Sequence, residues 1–177
     1  SAEGAARPAP AMARDAGDAA EACRRLAAYD HDPDRRGVLP VAAEAMDAEG
    51  ARRACTRAVA ADPSDAAAAF HLARAHWRLG EGEIARHFLD GAEAAGHAGA
   101  AFVLGRMHHV GLGVARDHRR AARHYLAAAR AGAPAGVAGL VALYSDPASP
   151  TYDPAKAQVL TRNPFALWMR HREAAEF

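Results

Sequence analysis

Ten histidines, two cysteines and one glycine-rich loop are the parts of this chain whose residue types could do chemistry. Metal binding needs imidazoles and carboxylates that converge. His71 and His76 are not one helical turn apart, so one helix face cannot present both well. The adjacent pair His108-His109 points in two directions. There is no H-E-x-x-H, no calcium-loop pattern and no C-x-x-C. We therefore expect no metal and no cofactor, each histidine either standing in for an aromatic ring or facing solvent. His87 and His124 are the pair whose register in successive helical units would let them approach each other. Nucleophilic catalysis is no better supplied. Ser64, Ser145 and Ser149 fall in caps or turns, Ser1 is terminal, and none lies in G-x-S-x-G. Gly111-Leu112-Gly113 has the look of a phosphate loop, but no strand precedes it and no lysine follows. A loop between two helices is the better reading.

Cys23 and Cys55 lie in similar surroundings, Glu-Ala-Cys-Arg-Arg and Arg-Ala-Cys-Thr-Arg. Each falls on an expected helix. An even count in a chain that looks exported favours a disulfide between two helices folded back on each other. Its closed loop of roughly thirty residues would be worth on the order of 3–4 kcal/mol by chain entropy. Two buried reduced thiols are the alternative.

The elements that must position these groups are helical. Ala accounts for 51 of the 177 residues, so the hydrophobic fraction of 51% overstates the bulky core. No β-branched run suggests a strand. Ala- and Gly-rich faces suit helices that approach closely. The formal net charge is +1, which disfavours a nucleic-acid partner, since a phosphate-tracking face needs a basic excess. No run of 18 apolar residues exists to span a membrane. Residues 1–20 are rich in Ala, Pro and Gly without apolar periodicity. They read as a flexible linker behind a removed export signal, and so as a pointer to the periplasm.

Along the chain, helices are expected at 18–30, 44–61, 65–79 and 82–95, with Asp62-Pro63-Ser64-Asp65 and Gly80-Glu81-Gly82 as the turns between the later ones. Gly96 to Gly132 reads as a complete helix–loop–helix unit. Ala100, Ala101, Leu104 and Gly105 form the close-packing face of its first helix. Gly111-Leu112-Gly113-Val114 is the loop and Asp117 the N-cap. Ala121, Ala122, Tyr125, Leu126 and Ala129 are the apolar face of its second helix. Such a unit cannot bury its faces alone and implies stacked neighbours. Leu140, Leu143, Asp153 and Ala157 repeat its key positions 36 residues on. Asn163-Pro164 then interrupts that unit before a short expected helix at 165–175. The resulting division is a linker (1–20), a helical cap (21–64), and repeats at 65–96, 97–132 and, in degenerate form, 133–177.

The pattern from Ala100 to Gly132, with Leu104-Gly105, Gly111-Leu112-Gly113-Val114, Asp117, Ala121, Tyr125 and Ala128-Ala129, resembles the Sel-one-like repeat, a relative of the tetratricopeptide repeat. It departs from that family at two places: His108 stands where an aromatic is usual, and His124 where Trp is frequent. Residues 65–96 lack the four-residue loop and are similar to a plain tetratricopeptide hairpin. The segment before them is similar to the capping segment of some exported relatives. The resemblance implies an all-α, short α/α superhelical solenoid of helix–turn–helix repeats with an N-terminal helical cap. It also implies a non-catalytic adaptor or accessory subunit of a bacterial envelope complex. A periplasmic regulator of a membrane sensor is the alternative. Weak hydrolysis, credited to some members, finds no triad here.

In such a solenoid the first helix of each repeat lines the concave face. Arg74 and Arg106 hold equivalent positions there, as do Trp77 and His109. These four are the candidate partner-binding residues, because Trp and Arg dominate interface energetics. The competing reading buries Trp77 between hairpins and leaves the arginines solvated. Phe165, Trp168, Met169 and Phe177 form a second candidate patch, which either docks a partner or seals the stack.

Overall fold

The computed structural model of the chain describes residues 11–28 and 39–164, and among these no strand occurs. Eight α-helices follow one another: α1 (Ala11–Ala27), α2 (Ala48–Ala61), α3 (Ala66–Arg78), α4 (Gly82–Ala94), α5 (Ala98–Val110), α6 (His118–Arg130), α7 (Pro134–Ser145) and α8 (Pro154–Arg162). A short 3-10 turn, Ala43–Ala45, precedes α2. Each helix packs on the next, α1 also touches α3, and α5 also touches α7. That next-neighbour stacking is the helical repeat solenoid expected from the sequence.

Side-chain caps set the starts. Asp47, Asp65, Asp117 and Asp153 each accept from the backbone N–H three residues on. His97 does the same through Nδ1, at 3.1 Å from the N of Ala100. These caps satisfy N–H groups that a helix leaves open at its first turn. The cap at Asp47 explains why α2 starts at Ala48 rather than Glu44. The first helix begins at Ala11, inside the stretch expected to be a flexible linker. Ala-Met-Ala-Arg is strong helix-forming sequence, and a single Gly17 costs only about 1 kcal/mol. The expected helix at 165–175 lies outside the described residues.

α3 and α5 start 32 residues apart, whereas α4 and α6 start 36 apart. The difference is the longer connection between α5 and α6, where the Gly111-Leu112-Gly113-Val114 loop sits. Gly111 ends α5 in the left-handed region at φ 79°, and Gly113 follows at φ 70°. A side chain at either position would be strained.

The core runs along the stack in linked clusters. Cys23, Ala27, Met46, Ala51, Cys55 and Leu72 join the first three helices. Phe70, Leu89, Leu104 and Met107 join the next pair, and Tyr125, Leu140, Leu143 and Leu160 close the far end. Where bulky residues are scarce, glycine brings helices together. A Cβ on Gly105 or Gly139 would sit 2.5 or 2.6 Å from the Tyr125 ring. The ring of α6 is therefore clamped between glycines of α5 and α7.

Candidate functional site

Trp77 and Met107 lie on the same side of the stack, one on α3 and the other on α5. Between them runs a cavity of about 290 Å³, floored by Ala73, Leu89, Val103 and Met107. Its far wall is Ala43 and Met46, from the segment leading into α2. Leu112, from the glycine loop, closes the other end. Trp77 is 38% exposed and Leu112 50%. The loop passes close to the indole: a Cβ on Gly113 would lie 3.4 Å from its Cη2. Trp77 is thus neither buried between hairpins nor loose in solvent. It lies against the next repeat's loop and presents the rest of its surface to the cavity.

Arg74, Arg78 and Arg106 also line the cavity. Arg74 is committed to the scaffold as well. Its guanidinium donates to the carbonyls of Ala27, Ala28 (2.8 Å) and Val41 (3.0 Å), while the N–H of Val41 donates to Ala28 at 2.9 Å. The side chain clasps the end of α1 to the segment that forms the cavity's far wall. Arg78 and Arg106 are exposed. Neither is paired with a carboxylate among the described residues.

His109 does not join the other three candidates. It points away from the cavity, towards α6, where its Nδ1 lies 3.2 Å from the Tyr125 hydroxyl. Its ring also meets His118 edge-on at 5.5 Å, and His118 Nδ1 lies 2.9 Å from Ser149 Oγ. Burial and the neighbouring His118 hold His109 below the ordinary imidazole value. Burial also pushes the Tyr125 phenol up to about 12. Arg74 and Arg106 do share a face, but Trp77 and His109 diverge.

The two departures from the Sel-one-like pattern meet each other. His108 on α5 and His124 on α6 stack with ring centroids 5.4 Å apart and planes 2° from parallel. Glu93 of α4 reaches His124 Nδ1 at 2.7 Å. Burial, above all, holds His108 below its ordinary value, with the charge of His124 adding to it. The pair fills the place of an aromatic contact between the helices of one hairpin. His87 lies edge-on to its neighbour Phe88 instead. Among the described residues no group of three or more His, Cys, Asp or Glu converges on a point that a metal ion could fill.

Cys23 and Cys55 are joined, with Sγ–Sγ 2.06 Å and Cα–Cα 4.6 Å, and tie α1 to α2 inside the first core cluster. The Arg74 clasp and the wall at Ala43 and Met46 are features that sequence reasoning missed. Both depend on a backbone path through an irregular segment, which carries no periodicity to read. The second patch, Phe165, Trp168, Met169 and Phe177, lies outside the described residues.

Residues 42–102 match the family model of the tetratricopeptide repeat. The match runs from the approach to α2 through α3 and α4 into the start of α5, and covers most of the cavity's walls. It supports a tetratricopeptide-related repeat protein. It ends before the 111–114 loop and so does not reach the Sel-one-like signature. A search of curated proteins finds no match to the chain. No helix among the described residues is long and apolar enough to cross a membrane.

Proposed function

We propose that the protein is a non-catalytic adaptor that holds a segment of a partner protein in the cavity between α3 and α5. The observation that carries this reading is the cavity itself: an apolar floor, an exposed Trp77 beside Gly113, and arginines at the edge. Anchors of this kind, rigid aromatics and Arg around an apolar pocket, are where binding energy concentrates. The match to a repeat type built for extended binding surfaces supports it. The reading needs no reacting group, and among the described residues none that lines the cavity is a nucleophile or a general base.

The setting we propose is the periplasm, in an envelope-associated complex. The buried Cys23–Cys55 bond supports this, because such bonds persist in oxidising compartments. The Gly111–Gly113 loop and its flanking positions support membership of the Sel-one-like branch.

A photoreactive amino acid at position 112, compared with one at position 159, tests the reading in intact cells. Both side chains are exposed, but Val159 lies on α8, away from the cavity. The expected outcome is one discrete protein adduct from position 112 and none from position 159. Adducts from position 159 alone would refute it. Release of the protein with the periplasmic fraction, in a state without free thiols, tests the location.

A further inference from the structure

A second cavity, of about 550 Å³, opens on the other side of α5, lined by Phe102, Tyr125, Pro134, Ala138 and Gly139. It lies between α5 and α7 as the first lies between α3 and α5. Arg106 is common to both linings. Its exposed guanidinium therefore stands on the ridge between two apolar depressions.

The charge of this face is one-sided. α3, α5 and α7 contain no Asp or Glu at all. The carboxylates of the first repeat are on α4 and at the two helix starts: Glu83 and Asp90 pair with Arg86, Glu93 with His124 and Glu81 with His76, while Asp65 caps α3. Among the described residues no carboxylate lines either cavity. Arg74 spends its donors on backbone carbonyls. Among the described residues that leaves Arg106, with Arg78 at the outer end, as the cations on offer. A guanidinium at the edge of an apolar site is well matched to a carboxylate, which it can hold through two parallel hydrogen bonds.

We infer that the partner segment carries two apolar side chains with an acidic residue between them, the apolar pair filling the two cavities and the carboxylate meeting Arg106. The inference rests on the function proposed above and adds the chemistry of the occupant. Neighbouring packed helices lie about 8–10 Å apart, so the two anchors fall within a short stretch of peptide. The acidic residue sets register: a segment shifted by one cavity loses both its charge pair and one anchor.

Selection from a phage-displayed library of random twelve-residue peptides, against the full chain, tests this. Wild-type protein is expected to enrich peptides in which Asp or Glu stands between two large apolar residues. Arg106→Gln should weaken those peptides ten-fold or more, and selection on Arg106→Glu should replace the acid with Lys or Arg. Arg106 is exposed, so both variants should keep the wild-type circular dichroism. If wild type enriches apolar pairs without an acid, and Arg106→Glu binds them equally, the inference is wrong. The cavity reading would still stand if Leu112→Arg abolished that binding. If no enriched peptide responds to Leu112→Arg, the cavity reading itself fails. Concentration-dependent self-association that Leu112→Arg abolishes would make a second copy of the chain the occupant, and would also overturn the inference.

Discussion

Single residues in this chain do two jobs that its composition conceals. Glycine is one case. Gly136 lies in α7 against the backbone of α6, and a Cβ there would stand 2.5 Å from the N of Ala129 and the carbonyl of Tyr125. Backbone cannot step aside as a flexible side chain can. Gly136→Ala should therefore destabilise by about 1–3 kcal/mol through overpacking. Gly91, also helical, is exposed and has nothing within reach of an added Cβ. Gly91→Ala should stabilise by about 0.5–1 kcal/mol. Thermal melting of the two variants should thus move the midpoint in opposite directions, and equal shifts would show that the α6–α7 approach is not as close as described. Arg74 is the other case. The sequence places it on the concave face, where it does line the cavity, but nothing local announces that it caps three carbonyls some 33 to 47 residues away in the chain. Long-range backbone satisfaction leaves no periodic trace, and for that reason this role was not legible.

At the scale of elements, two seams differ in what holds them. The seam between α1 and α2 is covalent, joining Cys23 and Cys55 across a sequence separation of 32. Reduction should cost roughly 3–4 kcal/mol by chain entropy, lower the melting midpoint, and loosen the Ala43–Met46 wall of the cavity. Cys23→Ser with Cys55→Ser should reproduce both effects without reductant, and unchanged stability would argue against the bond.

The seam between α5 and α6 is instead built on imidazoles. His108 and His109 both titrate below the ordinary histidine value of about 6.5, chiefly because they are buried. His108 faces His124 and Arg120, with Asp117 opposing them; His109 faces His118, Arg106 and Arg116, with Asp146 opposing. The unfolded chain therefore binds more protons than the folded one just below pH 6.5. Stability from this seam is present above that pH and is lost as the pH falls towards the depressed folded values. The melting midpoint should drop between pH 7.5 and pH 5, and less so in His108→Phe with His124→Phe. An equal drop in that variant would place the sensitivity elsewhere. The sequence marked both positions as unusual for the repeat. Their meeting follows from the hairpin, which brings the last turn of α5 beside the middle of α6.

As a whole the molecule is a line of hairpins in which each helix is stabilised by its neighbours. That much was legible, because small-residue ladders, Asp caps and a 36-residue recurrence are local signals repeated along the chain. The positions of Trp77 and Arg106 on one face were legible for the same reason. Less legible was where the regularity stops. His109 faces Tyr125 of α6, whereas Trp77, at the equivalent position of α3, lies beside Gly113 of the 111–114 loop. The same loop that marks the repeat thus completes the site.

We propose that this face, and not the outer helices, receives the partner. Chemical-shift mapping of labelled protein with a selected peptide measures that most directly. The Trp77 indole N–H and the methyl groups of Val103, Met107 and Leu112 report on the first cavity, and Ala138 reports on the second. Saturable shifts are expected at all five on addition of an acidic two-anchor peptide, with Ile84 and Val159 unmoved. Shifts confined to Ile84 on α4 or Val159 on α8, with Trp77 unchanged, would contradict it.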